Sequence, residues 1–94
     1  MAKVTIIFMG PWRLFLEERS ITIDINSIDE VRDYIEDKYG PVYNEKLKAR
    51  GINRMQSIWD NSNILLNGRN VKQSNDTVLK DGDTLHLISI VAGG

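Results

Sequence analysis

Two stretches near the start of the chain carry the hydrophobic pattern of β-strands. Lys3–Met9 is rich in β-branched and aromatic side chains and ends at the turn-forming pair Gly10-Pro11. Arg19–Ile25 alternates polar and apolar side chains, which predicts a half-buried strand with all its isoleucines on one face. We therefore expect an antiparallel hairpin. We expect Trp12, Leu14 and Leu16 in or near its loop.

The segment after this hairpin has a helical pattern. Ser27–Glu30 matches the capping box, in which the serine hydroxyl accepts a hydrogen bond from the Glu30 amide and the Glu30 carboxylate accepts one from the serine amide. Apolar residues then recur at helical spacing up to Gly40. A glycine at this position favours a left-handed cap that ends the helix. Pro41 suits the first turn of a second, shorter helix that ends at Arg50-Gly51.

The second half of the chain predicts short strands and turns. Residues 52–63 show no clear period. Ile64–Leu66 has the composition of a strand and runs into Asn67-Gly68, a pair that tolerates positive φ at both central positions of a tight turn. Thr77–Leu79 is consistent with a single helical turn, and Asp81-Gly82-Asp83 marks a turn before the last strand.

The last strand, Thr84–Ile90, alternates so that two leucines face the core while His86 and Ile88 face outward. Leu65 is expected on the same outward face, one strand over. A contiguous exposed apolar patch often marks a protein interface. Leu65, His86 and Ile88 are therefore candidate partner-binding residues.

The order strand, strand, helix, strands predicts an α+β fold in which helices pack on one face of a sheet. A chain of 94 residues accommodates one domain with one modest core. We assign residues 1–90 to that domain and residues 91–94 to a flexible tail. The residues expected to face the core are Ile6, Phe8, Ile23, Val31, Ile35, Leu66, Leu85 and Leu87.

Charge and composition narrow the possible partners. Twelve basic residues balance thirteen acidic ones, and no basic run exceeds two residues, so nucleic acid is not an expected partner. Because the chain has no cysteine, it cannot form a thiolate metal site or use a thiol nucleophile. No apolar run reaches the roughly 18 residues of a membrane span, so we expect a cytoplasmic protein with no membrane partner.

Candidate catalytic and metal-binding groups are few. His86 is the only histidine, so it lacks the companions of a zinc site or a nucleophilic triad. Helix capping and a solvated helix face account for the acidic residues around Ser27–Gly40 better than a metal site does. Asp81-Gly82-Asp83 lacks the other ligands of a calcium loop. We expect no catalytic residue and no metal ligand on this chain, and we expect Trp12 and Trp59 to be packing or interface residues.

The chain resembles the ubiquitin-like β-grasp proteins, and among them the sulfur carriers typified by the small subunit of molybdopterin synthase. The resemblance rests on the ending Val91-Ala92-Gly93-Gly94, on the Leu79–Asp83 turn and on Leu66–Arg69. Thr84–Leu87 is similar to a segment at the same distance from the terminal diglycine of ubiquitin. The resemblance implies a β-grasp fold with a mixed sheet of four to five strands.

The chain also departs from some relatives. It lacks the arginines that precede the diglycine of ubiquitin, which weakens the interpretation as a eukaryotic modifier. Its second helical segment suits the molybdopterin-synthase type better than the shorter thiamine-type carrier.

The resemblance assigns the chemistry to the C-terminal carboxylate of Gly94. An activating enzyme would use ATP and magnesium to form the Gly94 acyl-adenylate, and a sulfur donor would convert it to a thiocarboxylate for the large subunit of molybdopterin synthase. The chain itself would bind no cofactor, and it contains no P-loop. Because glycine has no Cβ, Gly93-Gly94 can pass through a narrow channel to a buried active site.

Other uses of the same ending stay open. Gly94 could be joined to lysines of target proteins as in a modifier, or sulfur could pass to thiamine or another small molecule. A β-grasp interaction module with an incidental diglycine is a further alternative. Whichever partner protein binds the chain, we expect it to contact Val91 and Ala92 together with Leu65, His86 and Ile88. In ubiquitin the positions that match the last three form a recognition patch.

Overall fold

The structure, a computed structural model, describes residues 2–71 and 78–90. In chain order its elements are β1 (Ala2–Met9), α1 (Pro11–Phe15), β2 (Ser20–Ile25), α2 (Ile28–Ala49), β3 (Ser62–Leu66), β4 (Arg69–Asn70) and β5 (Thr84–Ser89). The five strands form one mixed sheet in the order β2-β1-β5-β3-β4. Strand β5 pairs in parallel with β1 and antiparallel with β3. The predicted α+β fold, with a mixed sheet and helical packing on one face, is confirmed.

The hairpin of β1 and β2 is also confirmed, but its loop contains the short helix α1. Gly10 adopts a positive φ of 62°, and Pro11 follows at the start of the helix, where its missing N–H costs nothing. The helix turns Trp12 into the core, where its ring lies edge-on to Tyr43 with 4.8 Å between centroids. The interpretation of Trp12 as a packing residue is therefore confirmed.

The prediction of two helices separated at Gly40 is wrong, because α2 is continuous from Ile28 to Ala49. Pro41 has no N–H to donate within the helix, but the interruption is local. The side-chain amide of Asn44 donates to the Gly40 carbonyl at 2.9 Å. Tyr39 and Tyr43, on either side of the proline, are both buried in the core. Tertiary packing therefore outweighs the local signals that favour a helix end.

The predicted start of this helix is confirmed with one difference. The Ser27 hydroxyl accepts a hydrogen bond from the Glu30 amide at 3.3 Å. The Glu30 carboxylate accepts its return bond from the amide of Asn26 at 2.8 Å, one residue before the expected donor. The cap therefore satisfies one donor inside the helix and one in the segment that leads into it.

The core lies between the helices and the inward face of the sheet. Seven of the eight residues predicted to face inward are buried, namely Ile6, Phe8, Val31, Ile35, Leu66, Leu85 and Leu87. The eighth, Ile23, is partly buried and packs against the same cluster. Trp59 is buried as well, which confirms its packing role.

Of the turns predicted in the second half of the chain, the structure confirms some and contradicts others. Asn67 and Gly68 both have positive φ, 49° and 91°, and connect β3 to β4 as the Asn-Gly pair predicts. Val78 forms an isolated antiparallel bridge with Ser27, and the Leu79 amide donates to the Asn26 carbonyl. The predicted helical turn is therefore wrong for Val78 and Leu79, and Thr77 lies outside the described residues.

Candidate functional site

The structure brings the three predicted docking residues together on the outward face of the sheet. Leu65 on β3 and His86 on β5 are direct neighbours across the two strands. Ile88 lies two positions further along β5, on the same side as His86. All three side chains are partly exposed, whereas Leu85 and Leu87 on the opposite side of β5 are fully buried. The predicted strand faces are therefore correct.

This face also includes two residues of β1 that the sequence interpretation missed. Ile7 is the neighbour of His86 across the parallel pair, and Met9 is the neighbour of Ile88. Met9 exposes 39% of its surface. The signal was present in the alternation of β1, where Ile6 and Phe8 face the core. We call Ile7, Met9, Leu65, His86 and Ile88 the outward patch.

Polar side chains flank the outward patch. On the β2 side the hydroxyls of Thr5 and Thr22 share a hydrogen bond of 3.2 Å. On the other side Asn63 is exposed and lies next to Ile88 across the β3–β5 pair. An apolar centre with a polar rim is the arrangement found in protein–protein interfaces.

The middle strand of the outward patch, β5, leads to the end of the chain. Ile90 is the last described residue, 52% exposed, and its amide donates to the Asn61 carbonyl at 2.9 Å. The remaining predicted site residues lie outside the described residues, namely Val91, Ala92, Gly93 and Gly94. A four-residue segment that begins after Ile90 reaches at most about 14 Å from it.

The acidic residues near the start of α2 have structural partners. Asp29 and Asp33 both lie within ion-pair distance of Arg32, at 3.5 and 3.3 Å. The Glu36 carboxylate accepts a hydrogen bond from the Trp59 amide at 2.9 Å. Across residues 2–71 and 78–90, no group of three or more histidine, aspartate or glutamate side chains is arranged to hold a metal ion.

The titratable groups with clear shifts are remote from the outward patch. Hydrogen bonds from the Lys80 amide and from the Asn67 side chain lower the pKa of Asp83. Burial raises the pKa of the Tyr39 and Tyr43 hydroxyls. These shifts belong to a turn and to the core. Within the described part of the chain, no helix is long and apolar enough to cross a membrane.

Comparisons with solved structures identify proteins of the same fold. A putative molybdopterin converting factor subunit 1 from Pyrococcus furiosus is 23% identical with a TM-score of 0.70, and the match covers 97% of this chain and 100% of that one. Small archaeal modifier protein 1 from Methanosarcina acetivorans is 24% identical with a TM-score of 0.69, covering 100% and 98% of the two chains. Both likenesses show a β-grasp, ubiquitin-like fold.

A third structure contains a complex. It is the complex of subunits 1 and 2 of the molybdopterin-converting factor from Helicobacter pylori, and the similar chain is 27% identical with a TM-score of 0.64. The match covers 98% of this chain and 99% of that one.

No curated protein matches the sequence. The model of the ThiS family, however, matches residues 7–94, which is nearly the whole chain and includes the end of β1, all of β5 and the diglycine. The chain therefore belongs to the ThiS family, within the ubiquitin-like sulfur carriers.

Proposed function

We propose that this chain carries sulfur as a thiocarboxylate on Gly94 and delivers it as the small subunit of a molybdopterin synthase. The observation that carries the proposal is the position of the outward patch across β1, β5 and β3, with β5, its middle strand, leading into Val91–Gly94. A docked partner would cover the patch while the tail reaches its active site. The family assignment and the complex of the two Helicobacter pylori subunits support this arrangement.

The chemistry starts from an unreactive group, because a carboxylate is anionic and has no good leaving group. In the proposed first step an oxygen of the Gly94 carboxylate attacks the α-phosphorus of ATP, and pyrophosphate leaves. Hydrosulfide then attacks the acyl carbon and AMP leaves, so the C–O bond to the phosphate is replaced by a C–S bond. The thioacid formed loses its proton to water and is then the thiocarboxylate.

The activating enzyme supplies the ATP site, magnesium and the electrostatic stabilisation of these steps. This chain supplies the acyl group and the surface that docks it. It needs no cofactor of its own for that role. The large subunit of the synthase would then receive the sulfur, with the outward patch again as the docking surface.

Conjugation to lysines is the second candidate function. The shared fold with small archaeal modifier protein 1 from Methanosarcina acetivorans suggests it. The same Gly94 adenylate would then react with a lysine amine and form an isopeptide bond. A transfer of sulfur to thiamine or another small molecule would also start from the Gly94 adenylate and its thiocarboxylate. In that case the acceptor enzyme decides the product.

Intact-mass spectrometry of protein purified from its own host tests the proposal. A thiocarboxylate adds about 16 Da, the difference between sulfur and oxygen, and a variant that lacks Gly93 and Gly94 is the control that should show no such gain. Lysine adducts that carry this chain would favour the modifier instead. A wild-type protein that never acquires the added mass when incubated with its activating enzyme, ATP and sulfide would contradict the carrier function.

A further inference from the structure

The residue that follows β5 makes a backbone hydrogen bond to a residue that lies outside the strands. The pairing of β5 with β1 ends at Ile88, and its pairing with β3 ends at Ser89. The Ile90 amide then donates to the carbonyl of Asn61 at 2.9 Å. Asn61 belongs to residues 56–61, the part of the α2–β3 connection that directly precedes β3, which we call the anchor loop. The anchor loop therefore holds the chain at the point where the tail begins.

Several hydrogen bonds fix Asn61 inside the anchor loop. Its backbone amide lies within hydrogen-bonding distance of the Ser57 and Ile58 carbonyls, at 3.3 and 3.2 Å. Its side-chain amide donates to the Ser57 carbonyl at 2.9 Å and to the Gln56 side chain at 3.4 Å. The carbonyl that receives Ile90 thus has a defined position although it lies outside any helix or strand.

Side chains of α2 hold the anchor loop in turn. Asn44 accepts from the Gln56 amide at 2.7 Å and donates to the Gln56 carbonyl at 3.1 Å. Glu36 accepts from the Trp59 amide at 2.9 Å. A continuous chain of contacts therefore runs from Asn44 through Gln56 and Asn61 to Ile90.

We propose that Asn44 and Asn61 are positioning residues that fix the point from which residues 91–94 leave the domain. The inference rests on the proposed function, because it concerns delivery of Gly94 to an active site. Release of Ile90 would move that point by one residue, up to about 3.6 Å. Misplacing a reacting group by about 1 Å can lower a rate on the order of 100-fold. Release of Ile90 would also add a residue that the partner must order.

Asn44→Ala tests this inference, because it removes the clamp on the anchor loop, together with the Asn44–Gly40 bond inside α2, without touching Ile90 or the outward patch. The control is Asn67→Ala, which loses two polar contacts and also places alanine at a φ of 49°, so it costs stability at a site that does not contact the anchor loop. The Asn67 side chain donates to Asp83 at 3.0 Å and accepts from the Thr84 amide at 3.1 Å, at the opposite end of β5. Both variants lose polar contacts and stability, which melting curves would compare, but only Asn44 is connected to Ile90.

Two measurements decide the matter. By ¹⁵N relaxation, the order parameter of the Ile90 amide should fall from about 0.85 to below about 0.6 in Asn44→Ala and stay at the wild-type value in Asn67→Ala. In ATP–pyrophosphate exchange with the activating enzyme of the host, Asn44→Ala should lower kcat about tenfold with little change in the KM for the carrier. Asn67→Ala should retain both constants. Asn44→Asp, which keeps the acceptor for the Gln56 amide, should recover part of kcat.

An unchanged Ile90 order parameter in Asn44→Ala, or equal losses of kcat in the two alanine variants, would overturn the positioning role. If wild-type protein supports no exchange, the proposed function itself is overturned, and the positioning role with it. The Ile90 order parameter distinguishes these failures, because it reports the anchor without any partner.

Discussion

The indole N–H of Trp12 donates a hydrogen bond to the hydroxyl of Ser62, with 2.8 Å between Nε1 and Oγ and both residues buried. The hydroxyl in turn donates to the Ile58 carbonyl at 2.6 Å. The two partners are 50 residues apart in sequence. This bond connects α1 to the first residue of β3, and it allows the large apolar body of Trp12 to fill the core without leaving its N–H unpaired.

Ser62→Ala should destabilise the domain by about 1–3 kcal/mol, because the Trp12 N–H would be left buried without an acceptor. Urea unfolding with an unchanged m-value measures the loss. Trp12→Phe tests the same bond from the donor side, and the double variant should lose less than the sum of the two single losses. A loss for Ser62→Ala within the range of an ordinary surface substitution, about 0.5 kcal/mol, would contradict this assignment.

Tyr39→Phe should leave stability unchanged or raise it by up to about 1 kcal/mol. The Tyr39 hydroxyl is buried and has no hydrogen-bond partner among residues 2–71 and 78–90, and burial raises its pKa. Phenylalanine removes this hydroxyl and keeps the ring that packs edge-on against Phe8, with 5.2 Å between centroids. Tyr39→Leu is the control, since it loses the ring contact and should destabilise. Thermal melting of both variants gives the comparison, and a clear loss for Tyr39→Phe would reveal a partner for the hydroxyl.

Much of this fold was predictable because its signals are local. The Ser27 cap and the Asn67-Gly68 turn each depend on residues within a few positions, and both formed as predicted. The continuity of α2 was not predictable, because Gly40-Pro41 favours a helix end locally while distant core contacts keep the helix intact. The anchor loop has no period to detect, since side chains of α2 hold it across 12 and 23 residues of sequence.

The residues of the candidate site also differ in how well the sequence predicted them. Alternation in β5 was clear, so His86 and Ile88 were placed on the correct face. The placement of Ile6 and Phe8 toward the core puts Ile7 and Met9 on the other face of β1, but the sequence alone did not show which strand lies beside β1. Their place in the outward patch follows from the parallel pairing of β1 with β5, which joins the two ends of the chain.

Asp83→Asn should remove a pH-dependent contribution to stability. The Lys80 amide at 2.7 Å and the Asn67 side-chain amide at 3.0 Å lower the pKa of Asp83 in the folded state. A carboxyl whose pKa is lower folded than unfolded stabilises the protein above its unfolded pKa of about 3.9 and loses that contribution as the pH falls through the folded value. The variant should therefore be less stable than wild type at neutral pH, and the difference should shrink in acid.

Melting temperatures of wild type and Asp83→Asn at pH values of about 7 and about 2.5 measure this change. Asp81→Asn is a suitable control, because Asp81 lies in the same turn and accepts from the amide of Lys3 in β1, and no hydrogen bond joins it to Asn67. A difference between wild type and Asp83→Asn that stays constant with pH would contradict the role of the ionised carboxylate.

Ile88→Asp should weaken docking far more than folding. Ile88 belongs to the outward patch, with Met9 and Asn63 as its neighbours on the adjacent strands, and its side chain is already partly exposed in the free domain. In a complex the new carboxylate would be desolvated without a partner, which is the costly outcome. We expect the Kd for the synthase large subunit or the activating enzyme to rise at least about tenfold, equivalent to about 1.4 kcal/mol. The melting temperature should change little.

Val78→Asp is the matched control for charge, because Val78 is an apolar residue that is 72% exposed and lies outside the outward patch, bridged to Ser27. Titration calorimetry measures the Kd of both variants, and melting curves measure their stability. The comparison separates the effect of the position of the new charge from the effect of the charge itself. Equal affinities for Ile88→Asp and wild type would exclude the outward patch as the docking surface. Equal losses for Ile88→Asp and Val78→Asp would instead attribute the effect to net charge, because long-range repulsion does not depend on burial at the interface.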